Sequence, residues 1–358
     1  MSVARRIAVT GAGGVGGVNF VRAAREAEEL FIVGLDNDEF YLQLPQVDVR
    51  VLSPRHDDPR FMEVLKEAVE RHRVEFLHPQ PEAEVEVVAA HRHELGAKTL
   101  LPSSSAVEVA RDKWRSYRAL HEAGVNVPAT ELYSPEAVER ILGKHGRAWV
   151  RARRGAGGRL SLPVDSVDEA EAWVRLWRLR GAAGPQDFMV QEYLPGRDVA
   201  WDSLWFEGRL VASYARERLR YIFPHLAPSR VTGTPTVARV VKDRGVNEAA
   251  EAAVKAVDPS PNGFYCVDLK YDSRGRPAVT EVNAKAHTTL GLWSFLAQRV
   301  FKLPRHYNMV WLYIKLGLEG EVDEPPERYD LYPEATLIRH IDAGLLVSVG
   351  GEWRRVEV

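Results

Sequence analysis

Asp268, Glu281, Asn283 and Lys285 are the residues of this 358-residue chain whose types and spacing most directly permit chemistry. They sit on two apolar runs, 263–270 and 278–285, joined by the turn-forming Asp272-Ser273-Arg274-Gly275, so a β-hairpin is predicted. Side chains two apart on a strand share a face, which aligns Glu281, Asn283 and Lys285, with Asp268 opposite on the neighbouring strand. Two carboxylates and an amide oxygen make a hard-oxygen site that suits Mg²⁺. The lysine on that face is placed to meet phosphate charge. Glu-x-Asn alone would read as a solvated strand face, and it is Asp268 and the flanking apolar residues that point to a metal.

Around this hairpin the elements alternate. Arg6 to Thr10 is a β-run, Gly11 to Gly17 a glycine turn, Val18 to Leu30 a helical pattern, and Phe31 to Asp36 a second strand. This is a βαβ opening with a dinucleotide-like fingerprint. Helices over 61–72 and 84–95 and strands over 74–78 and 99–101 continue it, predicting a parallel, doubly wound sheet. A single helix is expected over 106–122, ended by Gly124 and Pro128, and another over 134–143 with Ser134 as N-cap and Pro135 at its first position. A glycine loop, 154–159, lies between strands at 148–151 and 160–163. The helix over 165–180 carries Trp173 and Trp177 on one face, where packing explains them. A hairpin at 200–214, a polar loop over 219–235, helices at 247–257, 290–301 and 308–318, and short terminal strands complete the reading.

Length implies two or three domains. With 45% hydrophobic and 27% charged residues and a net charge of -2, nothing marks a nucleic-acid or membrane partner. The lone Cys266 forbids an intramolecular disulfide, and with no secretory leader or spanning run evident, a cytoplasmic protein is expected.

Taken in order, five segments resemble the ATP-grasp superfamily, and within it the carbamoyl-phosphate synthase large-subunit-like group. They are Asp112-Lys113-Trp114 with 120–128; Val150-Arg151 with the loop to Arg159; Val190 to Asp198; the Asp268–Lys285 hairpin; and the glycine-turn domain. The resemblance implies an α/β chain: a Rossmann-like pre-ATP-grasp domain (1–102), a two-lobed α+β ATP-grasp fold (103–323, with a glycine-loop lobe over about 128–190 and a metal-hairpin lobe over about 191–323) and a short C-terminal β extension (324–358). It implies phosphate contacts from Lys113, Arg151, Arg159 and Lys285 and from the loop amides of Gly155, Gly157 and Gly158. It further implies backbone adenine contacts at Glu192 and Leu194, a ribose contact at Asp198, and Mg²⁺, with Mn²⁺ as the alternative ion, on Asp268, Glu281 and Asn283. Most ATP-grasp enzymes carry Lys-Pro where this chain has Arg151-Ala152; arginine there is similar to the carbamoyl-phosphate synthase pattern.

The activity implied is that of an ADP-forming ligase, with ATP activating a carboxylate as an acyl phosphate for attack by an amine. Bicarbonate activation is the alternative within this class. NAD-dependent oxidation is an alternative of another class, resting on the first 36 residues alone. Substrate contacts are expected at Arg230, chosen among the arginines of 216–235, at His287, and at Glu82 near a sheet edge, where helix capping is the other reading. Small-molecule substrates are the expected partners, and a homodimer is what the family suggests.

Overall fold

In a computed structural model the described residues are 4–155, 157–341 and 344–356, so Ala156 of the glycine loop lies outside them. The chain runs β1 (Arg5–Thr10), α1 (Val15–Ala27), β2 (Leu30–Asp36), β3 (Val49–Leu52), α2 (Phe61–His72), β4 (Phe76–Pro79) and α3 (Glu82–His91). These strands form a parallel sheet in the order β3-β2-β1-β4, as the alternating pattern requires. One expected strand is absent: Thr99 to Leu101 is irregular, with a lone bridge between Phe76 and Lys98. The Leu101 and Pro102 carbonyls instead accept from Arg92. The four residues of β3, by contrast, are too short a run to carry a pattern of their own.

The predicted helix over 106–122 is two helices, α4 (Ser104–Arg111) and α5 (Lys113–Glu122), broken at Asp112. The Asp112 carboxylate accepts from the Trp114 and Arg115 amides at 3.0 and 3.3 Å, an N-cap whose local hydrogen bonds compete with helix continuation. The break leaves Lys113 as the first residue of α5.

Next come β5 (Thr130–Leu132), α6 (Pro135–His145), β6 (Ala148–Ala152), β7 (Ser161–Val164), α7 (Val167–Leu179) and β8 (Phe188–Glu192). Their antiparallel sheet, β5-β8-β6-β7, packs Val150 and Val190 against Val138 and Ile141 of α6 and Trp173 of α7. Ser134 caps α6 as expected, accepting from the Ala137 amide. Trp173 and Trp177 meet edge to face at 5.5 Å.

The rest is β9 (Asp198–Phe206), β10 (Arg209–Tyr221), β11 (Pro235–Val241), α8 (Arg244–Val257), β12 (Gly263–Tyr271), β13 (Pro277–Asn283), α9 (Leu290–Arg299), α10 (Met309–Glu319), β14 (Ala335–His340), β15 (Gly344–Val349) and β16 (Glu352–Val356). All eight strands join one sheet, β13-β12-β9-β10-β11-β14-β15-β16, so the terminal strands extend it. Trp201, Trp205 and Tyr265 bury one face against Val246, Ala250 and Val254 of α8. The other face packs with α9 and α10 into the core that also holds Ile7, Val9 and Phe20 of the parallel-sheet region. Gly291 of α9 lies on the α1 backbone at Asn19, where a Cβ would come within 2.6 Å. No helix among the described residues is long and apolar enough to cross a membrane.

Candidate active site

A cleft of about 450 Å³ separates the small antiparallel sheet from the large one. The hairpin forms in the expected register, with Asp268 opposite Glu281 and a bulge between Asp268 and Leu269. Its acids do not stand alone. Glu281 Oε2 accepts from Arg151 Nη2 at 2.6 Å and Glu281 Oε1 lies 3.2 Å from Lys113 Nζ. Three elements distant in sequence, α5, β6 and β13, therefore converge on one carboxylate. Lys113 also donates to the Gly155 carbonyl at 2.7 Å, tying α5 to the glycine loop. Burial pushes the Glu281 pKa up, but Lys113 and Arg151 outweigh it and hold the carboxyl below its ordinary value.

Asp268 follows the same logic with other partners. Burial raises its pKa, and the Arg218 guanidinium hydrogen-bonded to it more than reverses the effect. Arg218 donates to Asp268 and, at 3.1 Å, to Asp198, whose other oxygen accepts from the Tyr221 hydroxyl at 2.6 Å. Asp198 and Asp268 are thus bridged by one guanidinium. Asn283 and Lys285 line the same wall.

Trp149, Pro163, Leu194 and Leu269 supply apolar lining. Glu192 ends β8 within the small-sheet region: its amide donates to the Ala129 carbonyl at 2.8 Å and its carboxylate lies 3.4 Å from His145 Nδ1. Gly196 donates to the Tyr271 carbonyl, and a Cβ there would strike Tyr271 at 2.5 Å. The glycine loop has positive φ at Gly155, Gly157 and Gly158, and Arg159 lines a small recess shared with Lys113, Arg151 and Glu281.

Two expected substrate residues lie elsewhere. Arg230 is exposed and off the lining, turned out where the chain takes φ 58°. Of the arginines of 216–235, Arg216 and Arg218 line the cleft, on β10, which runs on to Tyr221 where a loop was expected from 219. Alternation along Ala215-Arg216-Glu217-Arg218 was the signal that could have found them. Glu82 opens α3 in its first turn and is likewise off the cleft lining. His287 does line the cleft, and burial holds its imidazole well below the ordinary pKa.

The first glycine turn is filled by protein. A Cβ would meet Pro81 at Gly11, the Tyr41 backbone at Gly13, Gln80 at Gly16 and the Gly11 carbonyl at Gly17, all within 2.5 Å. Asp36 accepts from the Gly13 amide at 2.8 Å rather than standing open to a ribose. The NAD reading of these residues loses its cradle.

The sequence profile of the ATP-grasp domain matches residues 110–289, half of the chain, so the chain belongs to the ATP-grasp family. Comparison with curated proteins finds no match. Among solved structures, an L-amino acid ligase from Bacillus licheniformis is 16% identical with a TM-score of 0.67, over 95% of this chain and 80% of that one. Biotin carboxylase from Campylobacter jejuni is 16% identical with a TM-score of 0.70, over 94% and 75%. N5-carboxyaminoimidazole synthetase from Staphylococcus aureus, solved with ADP, is 13% identical with a TM-score of 0.65, over 96% and 84%. At such identities the likeness is one of fold.

Proposed function

We propose that the chain is an ATP- and Mg²⁺-dependent, ADP-forming ligase that activates a substrate carboxylate as an acyl phosphate for attack by an amine. The observation that carries this reading is the convergence of Lys113, Arg151 and Glu281 beside the glycine loop. Residues 1–102 are read as a Rossmann-like domain, 103–323 as the two-lobed grasp and 324–358 as its β extension.

Adenine would lie against the apolar lining on the backbone of Glu192 and Leu194, with the ribose on Asp198. Lys113, Arg151, Arg159, Lys285 and the amides of Gly155, Gly157 and Gly158 would hold the phosphates. The donor set of Asp268, Glu281 and Asn283 fits Mg²⁺: hard oxygens, both carboxylates held ionised by neighbouring cations. When bound there, the ion supplies charge neutralisation at the phosphate oxygens. A substrate carboxylate oxygen attacks the γ-phosphorus, ADP leaves, and the amine then displaces phosphate. Little covalent chemistry falls to the protein; its cations orient the phosphates and draw off their charge.

A phosphate-release screen of amino acids and small carboxylates, singly and in pairs, with ATP and Mg²⁺ tests this. Release should require a carboxylate and an amine together, and Glu281→Ala should reduce it at least about a hundredfold with an unchanged circular dichroism spectrum. Release with bicarbonate alone would favour the bicarbonate-activating alternative. In a melt, Mg²⁺–ATP at about a hundred times its Kd should add about 2.7 kcal/mol, and NAD should add nothing.

A further inference from the structure

Behind Asp268 lies a cluster that the proposed reaction leaves unused: the buried Asp202, Arg216 and Cys266, and the half-buried His287. Asp202 is fully buried, and its Oδ1 lies 2.8 Å from His287 Nδ1 and 2.8 Å from Cys266 Sγ. Its other oxygen pairs with Arg216. The His287 amide is tied to Cys266 Sγ at 3.2 Å, so both backbone and ring are held.

A carboxylate cannot donate, so the 2.8 Å contact, the shorter of the two at Nδ1, places a proton there; Arg216 Nη2 stands 3.4 Å away. Nε2 is left with its lone pair, 3.5 Å from Asp268 Oδ1, which is itself an acceptor. Two electron-pair donors facing one another call for a cation between or beside them, and Arg218 supplies one on Asp268. A metal ion could serve both. Neighbouring ligands about 2.1 Å from an octahedral ion stand about 3.0 Å apart, within about half an ångström of the 3.5 Å between Nε2 and Oδ1. A carboxylate on the remote ring nitrogen is also the usual way a ligating histidine is oriented.

We propose that His287 Nε2, positioned by Asp202, is a nitrogen ligand of the divalent ion held by Asp268, and that it tilts the site from Mg²⁺ towards Mn²⁺ and later first-row ions. Imidazole adds more to those ions than to Mg²⁺, whose preference is for oxygen. The inference rests on the ATP–metal reading above.

The test uses the full chain labelled with ¹⁵N-histidine, loaded with Mn²⁺ and a non-hydrolysable ATP analogue, and read by electron spin-echo spectroscopy. His287 is the only histidine among the described residues that line the cleft, so a histidine nitrogen coupled to the ion reports on it. A coupling that switches from ¹⁴N to ¹⁵N on labelling and is lost in His287→Gln is the expected result. The preference of that variant for Mn²⁺ over Mg²⁺ should fall about tenfold. Mn²⁺ bound with the analogue but without histidine coupling overturns the inference and leaves the ligase reading standing. Failure of the unsubstituted protein to bind Mn²⁺ with the analogue overturns both.

Discussion

The chain has two glycine-rich turns, and they do opposite things. At 11–17 the missing side chains make room for protein: Pro81, Tyr41, Gln80 and the turn's own carbonyl occupy the space. At 155–158 a Cβ on Gly155 or Gly157 would meet nothing within 4 Å, so these two glycines serve a left-handed backbone beside open space, while one on Gly158 would come within 3.0 Å of the Val231 carbonyl. Charge separates them as well. Asp36 and the buried Glu84 adjoin the first turn, whereas Lys113, Arg151 and Arg159 surround the second. Phosphate needs cations and vacant room, so only the second turn qualifies. Glycine spacing therefore carries little information until one asks what fills the place of the absent side chain.

The contrast can be broken by substitution. The largest effect is expected for Gly17→Ala, whose Cβ would lie 2.2 Å from the Gly11 carbonyl oxygen. Overpacking of that kind should cost about 3 kcal/mol and lower the melting midpoint by roughly 6 °C or more. A variant with an unchanged midpoint but lost ATP binding would reverse the assignment of the two turns.

Glu84→Gln probes the acidic character of the first turn. Burial pushes the Glu84 carboxyl up to about 7 from 4.5, its Oε2 lacks a hydrogen-bond partner, and Asp36 adds repulsion. A raised folded-state pKa means stability present at low pH and lost as pH rises from 4.5 towards 7. Urea titrations across that window should therefore show the variant gaining on the parent by about 3 kcal/mol. A gap that stays constant with pH would mean the carboxyl is already paired.

The smallest effect on stability is expected at the second turn. Gly157→Ala places a Cβ on a residue with φ 71° but into open space, a cost of about 1 kcal/mol. Its melting midpoint should move by roughly 3 °C at most, while the KM for ATP rises. A large loss of stability with normal kinetics would show that this loop packs as the first one does.

How far the sequence could be read follows from which interactions are local. The Asp268–Glu281 register was legible because strand alternation and turn chemistry are encoded within about twenty residues. The parallel sheet was legible for the same reason, although β3 was too short to register. The break at Asp112 was missed because an aspartate reads alike as a helix residue and as a cap until its hydrogen bonds are seen. Arg216 and Arg218 fall between the expected hairpin at 200–214 and the expected loop at 219–235, because the strand that carries them outlasts its apolar run. The partners on Glu281 come from 130 and 168 residues away and leave no local trace.

Both acids assigned to the metal are already paired with cations, Asp268 with Arg218 and Glu281 with Arg151 and Lys113. A bare divalent ion approaching this wall therefore meets charges that are already cancelled and would have to evict side chains to bind. A metal–nucleotide complex brings phosphates that receive those side chains as the ion takes the acids. The order of arrival follows: on the ligase reading, metal and nucleotide enter together, and free metal alone should saturate the cleft only at far higher concentration.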